Sequence, residues 1–487
     1  MNYFPSFRRL KTTFHLLLFI NLAIITAYSA RAEIPELGDP TLKSFSTEEE
    51  KKLGLMFYRT LRNNLSFIDD PQLNHYINNL GKKLATHSDS YNKDFKFFIV
   101  DSPTINAFAG PDAYIGINSG LFLESLNESQ LASVMAHEIS HVSQRHLARA
   151  IDESGSMAVA TFATVLAAIL LGAHNSDMTQ AVLYTGLAGS QQKSINFTRT
   201  NEYEADRIGI SILAKSGINP QGMVDFFSTL LSKNTSGGME YLRTHPLNSN
   251  RVSEAQDRVK HTQSNLPNDS QDFQFAYARL EILSQKEPFT IKNADVEDKN
   301  DINLYKHSLK LIRTKQWPQA IKRLKALSKR NSHPWIKLAL AEAYQANHQN
   351  QQSLDLLSKL SELFPGYLPV TLIYTRILND NGQPQKSIAL LKHQLQINDE
   401  AIIHKTLAQA YFKNGQISAA LESTGNQYLK EGYFELAIQQ YDMALQQADL
   451  SISTQQRLET KKETLNKKNN RSQNKVEKNI SDELKPI

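Results

Sequence analysis

The chain has 487 residues, 40% of them hydrophobic and 21% charged, with 54 Lys and Arg against 49 Asp and Glu. It contains no cysteine, which excludes disulfides, thiolate metal ligands and an acylated lipoprotein terminus. Four basic residues and no acidic one fall in 1–32, leaving 50 against 49 beyond, and that balance argues against nucleic acid as a partner.

Arg8, Arg9 and Lys11 precede an apolar run from Phe14 to Tyr28, and Ala30-Arg31-Ala32 follows. This is the layout of a secretory signal peptide, cleaved after Ala32. The run is interrupted by His15 and Asn21 and falls short of the ~20 residues needed to span a bilayer. The leader therefore marks the mature chain for export. The 455 residues that remain suit two or three domains, and 20 Gly with 16 Pro fit a mainly helical fold.

Ser46-Thr47-Glu48-Glu49 reads as a capping box, opening a helix that runs through Leu53, Phe57 and Leu61. Asp70-Pro71 starts a second, with Leu73, Tyr76, Ile77, Leu80 and Leu84 at helical spacing. Phe95–Val100 and Ala113–Ile117 read as short strands. Asn127 then caps a helix whose apolar face is Leu131, Val134, Met135, Ile139 and Val142.

That helix carries His137-Glu138-Ile139-Ser140-His141. At about 100° per residue the two imidazoles project only about 40° apart, so they can grip one ion, and Glu138 can handle a water proton beside it. A catalytic site needs a third ligand. Glu202 and Asp206, four apart in a later helical stretch, offer one carboxylate for the metal and one to orient a ligand histidine. Glu204 points about 200° away from Glu202 and is the weaker candidate. The donor set favours zinc, one ion per chain. Between the two segments, Met157–Ala173 is uncharged and Ala-rich, a candidate flap or membrane-surface helix offering peripheral membrane contact. His245 precedes Pro246, which holds it extended in a loop. Two roles stand open for it: oxyanion stabiliser, or regulatory fourth ligand that keeps the enzyme closed. Arg251 is a candidate clamp for a substrate carboxylate.

From about 301 the pattern becomes paired helices. Ala320, Ser353, Ser387 and Ala420 recur at 33- to 34-residue spacing, preceded in step by Ala341-x-x-Tyr344, Thr375-x-x-Leu378 and Ala408-x-x-Tyr411. These positions resemble tetratricopeptide (TPR) repeats. Ala437 follows Ala420 by only 17 residues, so the last unit is compressed. The reading divides the chain into a leader (1–32), a zinc metallopeptidase domain (33–284), an acidic linker (285–301), a repeat domain (302–450) and a charged, partly disordered tail (451–487).

His137-Glu-Ile-Ser-His141 followed by Glu202-x-x-Ala-Asp206 resembles the HtpX-type family of zinc metallopeptidases, as does Asn106–Ala109 with Ile115–Leu121. The resemblance implies a gluzincin fold, mainly α with a small β-sheet, leading into a TPR α-solenoid. It implies His137, His141 and Glu202 as zinc ligands, Glu138 as catalytic acid/base and Asp206 behind the ligands. It implies that Ala113, Tyr114, Ile115, Gly116 and Ile117 pair with extended substrate. With a leader and a repeat tail, the implied substrates are outer-membrane β-barrel proteins stalled in assembly, and the implied partner is the β-barrel assembly machinery, docked by the repeats. Two other readings stay open: an assembly chaperone or scaffold with latent proteolysis, and an integral membrane protease.

Overall fold

The computed structural model describes residues 47–90, 92, 94–154, 191–233, 240–262, 266, 269–285 and 300–466. The leader, the segment 157–173, nearly all of the linker and the tail beyond 466 lie outside the described residues.

Helices α1 (Thr47–Asn64) and α2 (Pro71–Thr86) come first. Asp70 caps α2 by accepting from the N–H groups of Gln72 and Leu73, and Pro71 sits in the first turn, where a missing N–H costs nothing. Strands β1 (Lys96–Val100), β2 (Ala107–Ala109) and β3 (Tyr114–Asn118) form one sheet in the order β1-β3-β2. β3 pairs parallel with β1 along its whole length and antiparallel with β2 through Ile115–Ile117. Both edges of β3 are therefore filled, which corrects the expectation that 113–117 takes the substrate. Ala113 is not in the strand at all: with Asp112 it adopts positive φ (61° and 55°) in the turn before it. Gly116 is needed because a Cβ there would strike the Phe108 ring of β2.

After α3 (Ser119–Glu124) comes α4 (Glu128–Ser143), capped by Asn127, whose side chain accepts from the Gln130 amide. Thirteen of its 16 residues are buried, so α4 runs through the core rather than over it. α5 (His146–Ser154) and α6 (Gln191–Lys215) follow. Gly209 lets α6 lie close on α4: a Cβ there would sit 3.3 Å from the His137 amide nitrogen. α7 (Gln221–Lys233), α8 (Glu240–Thr244), α9 (Ser249–Lys260) and α10 (Gln271–Ser284) complete this part.

The remainder stacks as antiparallel helix pairs: α11 (Asp301–Arg313) with α12 (Trp317–Arg330), α13 (Pro334–Ala346) with α14 (Asn350–Leu363), α15 (Leu368–Asp380) with α16 (Pro384–Ile397), and α17 (Ala401–Lys413) with α18 (Ile417–Lys430). α19 (Phe434–Leu445) and a helix over 452–466 end the array. Ala320, Ser353, Ser387 and Ala420 are all buried where paired helices cross. Ser353 also gives its hydroxyl to the Ala341 carbonyl at 2.8 Å. The compressed unit resolves simply. α18 serves twice, packing Ala420 as second helix of one pair and Gly425 as first helix of the next. A Cβ on Gly425 would enter the Tyr441 ring of α19.

One apolar cluster runs from Leu73 through Phe273 and Tyr305 to Tyr344, so the peptidase part and the first repeat helices share a core across the expected linker. Arg279 ties them further, at 2.7 Å from Asp70 and 3.3 Å from Glu342. The array then curls back. Tyr367 meets the His75 ring of α2 edge-on at 4.7 Å, and Arg59 of α1 lies 3.6 Å over the Tyr433 ring. Among the described residues no helix is long and apolar enough to cross a membrane.

Candidate metal centre

α4 presents His137 and His141 one turn apart on the side facing α6, and α6 presents Glu202 and Asp206 one turn apart toward them. His137 Nε2 and His141 Nε2 lie 3.0 Å apart, and each is 3.4 Å from a Glu202 carboxylate oxygen. His245, just beyond α8, brings Nδ1 to 3.3 Å from His137 Nε2 and 3.1 Å from Glu202 Oε1. One donor atom from each of these four residues falls within 4.8 Å of all the others. On its outer side His137 faces Asp206, whose Oδ1 lies 3.0 Å from its Nδ1. The inward nitrogens thus gather at one point shared with a carboxylate. Two imidazoles, a carboxylate and a further donor at this spacing fit a divalent metal of zinc's preferences.

The buried carboxylates of Asp206 and Glu202 draw positive charge to this point. Burial works against a charged His137, but hydrogen bonds with Asp206 and Glu202 outweigh it and raise its pKa to about 10. Burial, reinforced by the charge on His137, holds His141 well below the usual range. Burial opposes the Glu202 carboxylate, yet His245 and His137 pull its pKa well down. Glu138 is raised, mainly by burial, and it is 1% exposed. A buried carboxyl with a raised pKa is suited to taking and returning a proton. Its Oε1 has no hydrogen bond and lies 3.4 Å from His245 Nε2, while the Ala109 amide donates to the same carboxylate.

That amide lies on the outer edge of β2, which no described strand pairs. Gly110 N–H donates to the Tyr114 carbonyl and Asn118 N–H to the Asn106 carbonyl, so the backbone groups of Ala107 and Ala109 turn away from β3. The strand edge beside Glu138 is β2, three residues within the Asn106–Ala109 stretch that the sequence marked only by resemblance.

Arg251 corrects another expectation. It is 2% exposed, and its guanidinium meets Asp206 through Nε (2.7 Å) and Nη2 (2.8 Å), Glu202 through Nη1 (2.8 Å) and the Pro246 carbonyl (2.7 Å). Buried between these partners, it holds the carboxylates in place instead of clamping substrate. Two neighbours, Tyr241 and His146, carried no signal in the sequence, and a third, Glu204, read only as a weaker ligand candidate. Tyr241 places its ring 4.7 Å from that of His245, and His146 with Glu204 sits behind His141. His146 follows His141 by five residues, a spacing on no common helical face.

The profile of peptidase family M48 matches residues 71–259. The β-barrel assembly-enhancing protease of Escherichia coli K12 is 34% identical over 387 residues, 79% of this chain and 74% of its own length. The protein of the same name from Yersinia pestis is 34% identical over 394 residues, covering 80% and 75%. The metalloprotease YcaL of Escherichia coli K12 is 26% identical over 182 residues, 37% of this chain and 67% of its own. With 34% identity over 387 residues and a family match across 71–259, the chain is a metalloprotease of peptidase family M48, grouped with the β-barrel assembly-enhancing proteases.

Proposed function

We propose that the chain is a periplasmic zinc endopeptidase that removes misassembled or stalled outer-membrane β-barrel proteins and assists their assembly, its repeats docking substrate or the β-barrel assembly machinery. The observation that carries the hydrolytic reading is the convergence of His137, His141 and Glu202 beside the buried carboxyl of Glu138. When bound, zinc supplies a Lewis acid for the scissile carbonyl and lowers the pKa of water. Glu138 takes the proton of the attacking water and returns it to the leaving amine. Asp206 orients His137, and Arg251 locks Asp206 and Glu202 together. The outer edge of β2 pairs with an extended peptide through backbone groups, which holds a chain without reading its side chains.

His245 stands among the ligand atoms, which favours the resting fourth ligand over the oxyanion stabiliser. His245→Ala is then expected to raise basal cleavage; lost cleavage would instead assign the oxyanion role. The whole reading is tested by metal analysis of the purified protein together with cleavage of an unfolded β-barrel substrate with and without chelator. One equivalent of zinc and chelator-sensitive cleavage support it, and a metal-free protein that still cleaves would sink it. A scaffold reading has its own support in the repeats, which carry an open hollow of about 700 Å³ lined by Lys392, Tyr411, Glu422 and Arg457. If Glu138→Gln rescued every defect of a deletion strain, that reading would prevail.

A further inference from the structure

We propose that His146 and Glu204 are positioning residues for the metal centre, acting through His141; the proposal rests on the zinc reading above. The two α4 imidazoles are backed differently. His137 Nδ1 lies 3.0 Å from a carboxylate, that of Asp206. His141 Nδ1 lies 2.7 Å from His146 Nδ1, and His146 Nε2 lies 3.2 Å from Glu204 Oε2. Arg149 reaches the same Glu204 oxygen at 2.8 Å. His141 is thus backed by a carboxylate one imidazole removed.

The hydrogens in this chain have one consistent arrangement. With the Nε2 lone pair of His141 turned inward, its Nδ1 carries the hydrogen and donates to His146 Nδ1. His146 must then hold its own hydrogen on Nε2 and donate it to Glu204. The chain fixes both the tautomer and the ring plane of His141, the two rings lying 4.7 Å apart at 77°. His146 meets His141 at Nδ1, the nitrogen turned away from the ligand cluster, and Glu204 meets His146.

The backbone is bent to make this contact. Arg145 adopts φ 53° between α4 and α5, a conformation few non-glycine residues take, and this bend brings His146 under His141. Arg145 is itself held by Glu50 at 3.3 Å, and His146 is buried. Glu204 faces away from Glu202 on α6, which is why it serves this second imidazole rather than the ion.

The test measures zinc affinity of the full chain by competition with a chromogenic chelator, and the visible spectrum of the cobalt-loaded form. His146→Leu is expected to weaken zinc about 10- to 100-fold and to shift the cobalt bands. His146→Gln, whose amide can accept from His141 and donate to Glu204, should recover affinity to within about threefold of wild type. Glu204→Gln should weaken zinc by less than His146→Leu and leave the melting temperature of the metal-free protein unchanged. Equal weakness of H146Q and H146L would show that ring packing, not hydrogen bonding, matters and would overturn the proposal. So would zinc affinity within about twofold of wild type in both H146L and E204Q. If H146L does not fold, E204Q decides: weakened zinc supports the relay, unchanged zinc overturns it. A wild-type chain that binds neither metal would overturn the zinc reading and this proposal with it, an outcome distinct from selective loss in the variants.

Discussion

Around α4 the interior holds two histidines, the carboxylates of Glu138, Glu202 and Asp206, and the Arg251 guanidinium, each at most 5% exposed except His141. Between α13 and α18 the interior is Leu357, Leu360, Ile373, Leu391 and Ile403, with Ser353 and Thr375 answering nearby carbonyls. Both regions are closely packed, yet they fail in different ways. Charges in a dry site are stable only as a matched set, so removing one member leaves the others uncompensated. Apolar contacts are many and weak, so the repeats lose stability in proportion to what is removed or overfilled. The catalytic region therefore has all-or-none residues, whereas the array has graded ones.

The largest expected contrast is kinetic. Glu138→Gln keeps the shape of the site and removes its base, so peptide hydrolysis should fall ~10³-fold with zinc content and melting temperature nearly unchanged. Steady-state cleavage beside metal analysis checks both halves. Next comes Arg251→Met, which strands Glu202 and Asp206 without their partner. A loss of ~3–5 kcal/mol in denaturant unfolding is expected, with weakened zinc as its companion. A loss below ~1 kcal/mol would mean that the buried charges are not a matched set.

In the array, Gly425→Ala pushes a methyl into the Tyr441 ring and should cost ~1–3 kcal/mol. Hydrogen exchange should rise in α18, α19 and 452–466 while α4 and α6 stay protected. The smallest effect is a pH dependence. Burial tends to raise Glu422, but Arg457 and Lys461 (2.9 Å from it) depress its pKa. A depressed carboxylate adds stability that is present above its unfolded pKa of ~4.3 and disappears as pH falls through the lower folded value. Wild type should exceed Glu422→Gln by under ~1 kcal/mol at pH 6, and the gap should narrow as pH falls below the unfolded carboxylate range in denaturant titrations.

Much of this was legible in advance where the signal is local. The Asp70 and Asn127 caps, the apolar spacing of α2 and the 33- to 34-residue recurrence of small residues each follow from contacts within a turn or within a helix pair. The four-residue spacings of His137 with His141 and of Glu202 with Asp206 are likewise properties of single helices, and the fold brings the two pairs together. Legibility ended where partners are distant. Nothing near β3 indicated that β2 would cover its second edge, because three residues are too few for a period. Nothing near Arg251 marked it as interior, because an arginine is ordinarily solvated and only Asp206 and Glu202, more than 40 residues upstream, make its burial tolerable. The 285–301 boundary had the composition of a linker, yet the core passes from Leu73 to Tyr344 without a break.

The sequence by itself determined the helices, their caps, the repeat period and which side chains share a helical face, since all are set by backbone geometry and neighbours within a few residues. Only the tertiary structure decided which face meets which: that α6 closes on α4 through Gly209, that Arg251 enters between two carboxylates, and that His146 turns beneath His141. Those outcomes depend on desolvation and close approach between distant segments, and no short stretch of chain carries either.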